Sequence, residues 1–408
     1  MNKAMGQPLS HIRVLDLSRI LAGPWAGQLL ADLGAEVIKV ERPEVGDDTR
    51  QWGPPFLDDD EGSPTSESAY YLAANRGKQS VVIDITTTAG QQAIKDLACC
   101  CDVMLENYKV DGLKKYGLDY ASLSQINPKL VYCSITGFGQ TGPYKQRAGY
   151  DFMIQAMGGL MSVTGEPDGQ PGAGPQKVGV ALADIMTGLY ATIAVQAALA
   201  EREKSGKGQH IDLALFDVQA ATLANQAMNY LVGGDTPRRM GNAHPNIVPY
   251  QVFATADGHM ILAVGNDKQF TQFCNAAGCP ELACDDKFSH NPQRVEYRDE
   301  LCEKIATYLV QHPTAYWLQL LDTVGVPCGP INEIDQVFND PQIRARNMVV
   351  DLPHAVAGQV PQVGNPIHFS RTPITLTRPP PMLGEHNEAV LRDILGYSDE
   401  QIAALHKK

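Results

Sequence analysis

The sequence has little positive charge for its length. Lys and Arg number 33 against 46 Asp and Glu among 408 residues, a formal net charge of −13. Binding nucleic acid without sequence preference needs a basic face that displaces counterions, and docking on an anionic membrane needs one too. The balance argues against both partners. It leaves a small polyanion open, because a pocket needs only a few local cations. Paired cysteines are also missing. There are nine, an odd number, and three are adjacent at Cys99, Cys100 and Cys101. That spacing is a poor disulfide framework and fits a reducing cytoplasm. Cys274, Cys279 and Cys284 are evenly spaced but form no CxxC pair and have no interleaved histidine, so no metal site is expected. The opening MNKAMGQPLSHIRVLDLS has neither a long apolar core nor an Arg-rich amphipathic pattern, so no secretory or organellar leader is expected. Internal repeats and low-complexity tails are lacking as well.

One long apolar run is present. Residues 178–200, VGVALADIMTGLYATIAVQAALA, carry a single charge, Asp184. The length could span a bilayer. However, the run is Ala-rich and lacks a strong basic flank, and a carboxylate inside a span costs about 2.5–3.5 kcal/mol at its centre. A buried helix of a large soluble domain is the better reading.

Hydrophobic residues make up 44% and charged residues 19%, as in ordinary globular proteins. At roughly 100–200 residues per domain, two or three domains fit. The first 140 residues alternate β and α patterns. Strand-like runs at 12–17, 36–41, 80–85, 102–107 and 130–136 are separated by helical ones, including 25–34, which ends at Gly34, and 88–98. This predicts an α/β fold with an open parallel sheet. A long helix is expected over about 177–207. Further on, residues 250–265 read as a hairpin with Asp257-Gly258 at its turn. Polar helices follow at 298–312 and 317–324, in a smaller domain.

Gly137-Phe138-Gly139-Gln140-Thr141-Gly142 matches G-x-G-x-x-G after a strand. Pro143 and a polar stretch follow, with no amphipathic helix opening at Gly142, so a tight loop near a ligand is the better reading than a dinucleotide fingerprint. Loops at other strand ends carry cations and amides: residues 18–24, Glu41-Arg42, Asn75-Arg76-Gly77-Lys78 and Glu106-Asn107-Tyr108-Lys109. Together they suit a phosphate-rich ligand at the carboxyl edge of a sheet. Asp184 has two compatible readings. It is an N-cap accepting from the first helical NH groups, or a reactive carboxylate kept ionised by a helix dipole.

The segments VLDLSRILAGP, LGAEVIKVERP, GDDTRQWGPP, NRGKQSVVID, CDVMLENY, LVYCSITGFGQTGPY, RAGYD, ALADIMTG, GVPCGPIN and RPPPMLGEH occur in that order. In this the chain resembles the family III CoA-transferases over nearly its whole length. The resemblance implies a Rossmann-like large domain built from both chain ends (residues 1–225 and 326–408), a smaller α+β domain (226–325), and an interlocked homodimer. It implies transfer of coenzyme A between carboxylic acids, with CoA thioesters as substrates and no permanently bound cofactor. The family's catalytic aspartate maps onto Asp184, which would pass through a mixed anhydride to an aspartyl-CoA thioester. Expected CoA contacts are Ile20, Leu21, Ala22, Arg42, Asn75, Arg76, Lys78, Asn107, Tyr108, Lys115, Phe138 and Gly139.

Racemases of α-methyl acyl-CoA esters resemble the same N-terminal motifs. They carry a histidine where this chain has Tyr150, whose ordinary pKa of about 10 suits a neutral-pH proton shuttle poorly. A non-catalytic CoA-binding protein would need no carboxylate at Asp184. GDDTRQWGPP and the stretch from Gly233 to Gly241-Asn242-Ala243-His244 resemble most the succinyl-CoA:glutarate branch. Trp52, Tyr150, Gly241, Asn242 and His244 are therefore expected near the acyl group. A dicarboxylate needs a second cation, and Arg19, Arg50, Arg147, Arg238 and Arg239 are all candidates for it.

Overall fold

The computed structural model describes residues 6–405. Two compact units divide the chain. The first lies within Met1–Leu160, Val178–Met228 and Pro341–Lys408, and the second within Met161–Lys177 and Asn229–Asp340.

The first unit is built on six parallel strands: β1 (Arg13–Asp16), β2 (Glu36–Glu41), β3 (Lys78–Val82), β4 (Val103–Glu106), β5 (Val131–Thr136) and β6 (His210–Ala214). Their order is β3-β2-β1-β4-β5-β6. Chain direction across the sheet reverses between β1 and β4. Alternate side chains feed two cores, as a strand period of two requires. Val14, Val37, Val103 and Val131 pack on one face with Ala26 and Leu30 of α1 (Ala22–Asp32). Leu15, Ile38, Met104 and Tyr132 pack on the other, with Ile94 and Leu97 of α2 (Thr88–Cys100). Val390 and Leu391 from the returning C-terminal segment join this second core.

Two further helices place the site, α3 (Asp151–Met157) and α4 (Leu182–Ser205). No helix opens at Gly142, because the next one after β5 is α3. The expected long helix starts at Leu182 and stops at Gly206, whose φ of 71° forms a left-handed C-cap. Among the described residues, α4 is the one helix long and apolar enough to cross a membrane. Its Ala183, Ala191, Val195 and Ala198 lie in the first core beside α1. Gly188 permits this contact. A Cβ there would stand 2.8 Å from the Ala22 carbonyl oxygen and 3.0 Å from Trp25.

The second unit holds a three-stranded antiparallel sheet, β7 (Tyr250–Ala254), β8 (His259–Ala263) and β9 (Cys328–Pro330), with β8 central. The Asp257-Gly258 turn joins β7 to β8 as the sequence predicts. Phe253, Met260, Phe270, Phe273, Leu301 and Trp317 make its core, and Cys274 and Cys279 are buried there as small apolar groups. Residues 161–177 belong to this unit. Arg239 ties them in, donating to the Glu166 carbonyl and pairing with Asp168. This Gly- and Pro-rich excursion carries no periodic signal, and the expected bounds of 1–225 place it in the large domain.

Charge is buried under the β1–β3 edge. Lys78 Nζ lies 2.9 Å from Asp16 Oδ2, and Lys39 Nζ lies 2.8 Å from Asp47 Oδ2, with all four side chains fully inaccessible or nearly so. Burial lowers Lys78 to about 8, even beside Asp16. For Lys39, burial is outweighed by Asp47, Asp16 and Glu41, and its pKa rises. Removing one member of such a pair strands a charge. Lys78→Met is therefore expected to lose about 3–5 kcal/mol in urea unfolding, and adding Asp16→Asn should restore much of it. A loss under about 1 kcal/mol would contradict this role.

Candidate active site

Ligands of open α/β sheets bind beyond the carboxyl ends of the strands, where the strand order reverses. Here Asn107, just after β4, bridges that gap. Its Oδ1 accepts from the Arg19 backbone NH at 2.9 Å, and its Nδ2 donates to the Arg19 carbonyl at 2.6 Å. The loops after β1 and β4 are thus joined by one amide. Asp47 Oδ1 accepts from the NH of Ile20, which holds φ at 73°. Burial would raise Asp47, but Lys39 and two bonds from Thr49 outweigh it and hold it at about 2. It stays ionised to anchor the loop. Glu106 is pushed up to about 7 by burial and accepts from the Tyr108 NH at 2.8 Å.

A cavity of about 930 Å³ opens along the ends of β2, β3 and β4. Arg19, Arg42, Lys109 and Lys115 supply its cations, and Val40, Pro43, Ile83, Ile85 and Tyr116 supply apolar wall. Arg19 and Arg42 share Asp48, at 3.0 and 2.6 Å. A smaller cavity of about 170 Å³ shares Arg19, Tyr108 and Lys109 with the large one. Ile20, Leu21, Ala22, Asn107, Tyr150 and Asp184 also line it.

Asp184 is not the N-cap. It is the third residue of α4, and Ala181 at the cap position offers no side-chain oxygen. The capping comes from α3. Asp151 Oδ1 accepts from the NH groups of Ala183 at 2.8 Å and Asp184 at 3.3 Å. Gln155, one turn on and fully buried, donates to Asp151 Oδ2 at 2.7 Å and accepts from the Val178 NH at 2.9 Å. Among the described residues no hydrogen bond or ion pair reaches the Asp184 carboxylate, which is only 9% exposed. Burial first, and the Asp151 charge second, push its pKa up to about 7. The expected effect of the helix dipole, an acid kept ionised far below neutrality, is overridden.

Other sequence-derived positions divide. Arg42 and Lys115 line the large cavity and Tyr108 lines both. Phe138 and Gly139 line neither. Phe138 packs into the first core, and Gly139 donates its NH to Thr136 Oγ1. The turn just before them is tight: a Cβ on Gly137 would stand 2.6 Å from the Gly149 Cα. Asn75, Arg76 and Lys78 also line neither cavity, and their polar groups have partners within the fold. Asn75 and Asp16 hold the Lys78 ammonium, and Asp32 takes Arg76 through two bonds of 2.7 and 3.0 Å. Lys78 opens β3 with its side chain buried, Asn75 donates to the Tyr71 carbonyl, and Arg76 reaches Asp32 at the end of α1. Trp52 is half-exposed and stands edge-on to Tyr70, with ring centres 5.0 Å apart. Burial raises Tyr70, with further contributions from Asp184 and Asp151. Gly241, Asn242 and His244 belong to the second unit, where His244 packs on Tyr250 at 5.2 Å. Sequence reasoning missed Asp151, Tyr70 and Asp48. Only Asp151 had a signal, as an acid beginning a short helix next to the Tyr150 position. Among the described residues no histidine lines the Asp184 cavity.

The fold and site define an α/β enzyme with a polyanion-sized crevice that leads to one buried, unpaired carboxylate. Comparison with known proteins gives the family. The profile of CoA-transferase family III matches residues 9–387, and the chain belongs to that family. It is 54% identical over 387 residues to a succinate–glutarate CoA-transferase of Agrobacterium fabrum, covering 95% of this chain and 96% of that one. It is 44% identical over 399 residues to a human succinyl-CoA:glutarate CoA-transferase, covering 98% and 89%. A crystal structure of a CaiB/BaiF family protein from Brucella suis superposes with a TM-score of 0.83 at 52% identity, covering 96% of this chain and all of that one.

The Asp184 environment has a consequence for stability. Its folded pKa, about 7, lies above the ordinary carboxylate value. Between pH 4 and 7 the unfolded chain releases this proton and the folded one keeps it, so stability falls as pH rises through that window and levels off above it. Asp184→Asn lacks this loss. It is expected to match the native protein near pH 4 and to be more stable at pH 8, by on the order of 3–4 kcal/mol. Equal stabilities at both pH values would contradict the raised pKa.

Proposed function

We propose that this protein transfers coenzyme A from succinyl-CoA to glutarate or another short dicarboxylate through a covalent Asp184 intermediate. One observation carries the reading: a cation-lined cavity large enough for a nucleotide shares its inner wall with a small cavity that ends at an unpaired, buried carboxylate. The names of the similar transferases support the substrate pair. The first unit is the CoA-binding domain. Arg19, Arg42, Lys109 and Lys115 receive the phosphates, and the apolar wall receives the adenine.

In the first step the Asp184 carboxylate attacks the thioester carbonyl of the donor. A C–O bond forms, the C–S bond breaks, and a mixed anhydride and CoA thiolate result. The thiolate attacks the aspartyl carbonyl and expels the donor acid, leaving aspartyl-CoA. The acceptor carboxylate attacks that thioester, releases thiolate and forms the second anhydride. Thiolate attack on the acceptor acyl carbon then gives the new acyl-CoA and frees Asp184. A carboxylate with pKa near 7 is half ionised at neutral pH and more basic than an exposed one, which suits a nucleophile. Burial keeps water from the anhydrides and the thioester.

A homodimer of interlocked chains is part of the proposal. The outer side of α4 leaves Leu189, Tyr190 and Ile193 exposed, the last at 62%. An apolar patch of this kind fits a second copy of the chain. The odd number and adjacent spacing of the cysteines support a reducing, cytoplasmic location.

Intact-mass spectrometry after brief incubation with succinyl-CoA tests the chemistry. The native protein should gain a CoA-sized covalent adduct that glutarate discharges, and Asp184→Asn should gain none and lose transfer by at least about 10⁴-fold. An adduct on the variant, or turnover that survives the substitution, would reject Asp184 as the nucleophile.

A further inference from the structure

A dicarboxylyl group carries a second, unreacting carboxylate, and the structure separates the five arginines that could meet it. Arg50 is 6% exposed and fully engaged. It forms two 2.8 Å bonds to Glu41, one of 3.0 Å to Glu67 and one of 2.9 Å to the Pro381 carbonyl. Arg238 and Arg239 belong to the second unit and line neither cavity, and Arg239 is held by Glu166 and Asp168. Arg19 lies on the Asp184 cavity, but Asp48 takes its guanidinium and the Tyr108 ring lies 5.4 Å beneath it. Arg147 is different. It lines the same small cavity as Asp184, and among the described residues no carboxylate lies within salt-bridge distance of it. Its guanidinium rests over the rings of Tyr144 at 4.7 Å and Phe138 at 5.5 Å.

We infer that Arg147 binds the distal carboxylate of the acyl group and so selects short dicarboxylates. The inference rests on the transferase reading above. Aromatic faces orient a guanidinium while leaving its edge NH groups free, and that edge matches a carboxylate with two parallel bonds. Arg147 does not neutralise Asp184, because burial and Asp151 alone set that carboxyl's high pKa and no cation offsets them. Among the described residues, the small cavity therefore presents a nucleophile and a separate unpaired guanidinium, the one planar fork among the unpaired cations Lys109, Lys145 and Arg147 on its wall. An acyl chain with a carbonyl at one end and a carboxylate at the other satisfies both. A monocarboxylic chain forgoes this charge-assisted pair and binds less well than a dicarboxylic one.

The test is the ratio of kcat/KM for glutarate to that for pentanoate, each as acceptor with succinyl-CoA as donor so that the donor half-reaction cancels. In Arg147→Gln this ratio is expected to fall at least tenfold, and in Arg147→Lys it should fall less, because a cation without the planar fork remains. An unchanged ratio in Arg147→Gln overturns the inference, whatever happens to total activity. If the native protein transfers CoA to glutarate and the ratio holds, this inference alone fails. If the native protein transfers CoA to no acid, the transferase reading fails with it.

Discussion

The carboxylate of Asp151 caps the long helix α4, and the site depends on that substitution of one acid for another. A helix start leaves NH groups without internal partners, and the nearest acidic side chain usually satisfies them. Asp184 is in the first turn and would serve. Because Asp151 reaches across from α3 to bond the NH groups of Ala183 and Asp184, the Asp184 side chain is left without a partner in a closed space. The same contact places a second negative charge nearby. Both effects raise the pKa toward neutrality and make an ordinary acid into a basic, poorly solvated group. Gln155 fixes this arrangement from below by holding Asp151 and the chain entering α4 together.

The ligand side of the crevice follows from a different constraint. The β3-β2-β1-β4-β5-β6 order leaves a gap between the ends of β1 and β4. Asn107 bridges that gap, and buried Lys39 and Asp47 hold the first loop from beneath. Two sets of charge in the first unit serve different ends. Those under the sheet edge, including Lys78 and Arg76, are consumed by Asp16 and Asp32 and hold structure. Those on the carboxyl-end loops face the cavities. The net charge of −13 is compatible with binding a polyanion because Arg19, Arg42, Lys109 and Lys115 gather at one cavity.

Much of this was legible in the sequence. The β–α alternation predicted the parallel sheet, the isolated Asp184 in an apolar run drew attention to a carboxylate that is buried beside the small cavity, and the hairpin at Asp257-Gly258 was clear from its turn chemistry. What was not legible has physical causes. Asn75, Arg76 and Lys78 read as loop cations because sequence shows charge but not the partner that buries it, and Asp16 and Asp32 are 62 and 44 positions away from Lys78 and Arg76. The N-cap reading of Asp184 fails because the capping oxygen comes from 32 residues upstream, where sequence gives no sign of the contact. Residues 161–177 carry no period, so only tertiary contact reveals which unit they join. Sequence alone does not separate Arg147 from the other four arginines, because it shows neither the partners that occupy Arg19, Arg50 and Arg239 nor the unit that Arg238 joins.

The central claim is that Asp184 is a buried carboxylate poised near neutrality because Asp151 performs its capping duty. Carbon-13 NMR titration of protein labelled at the aspartate carboxyl carbons tests this directly, with Asp184→Asn used to assign the resonance. The account predicts that the Asp184 carboxyl titrates at about 7. A midpoint near the ordinary value of about 4 would contradict it.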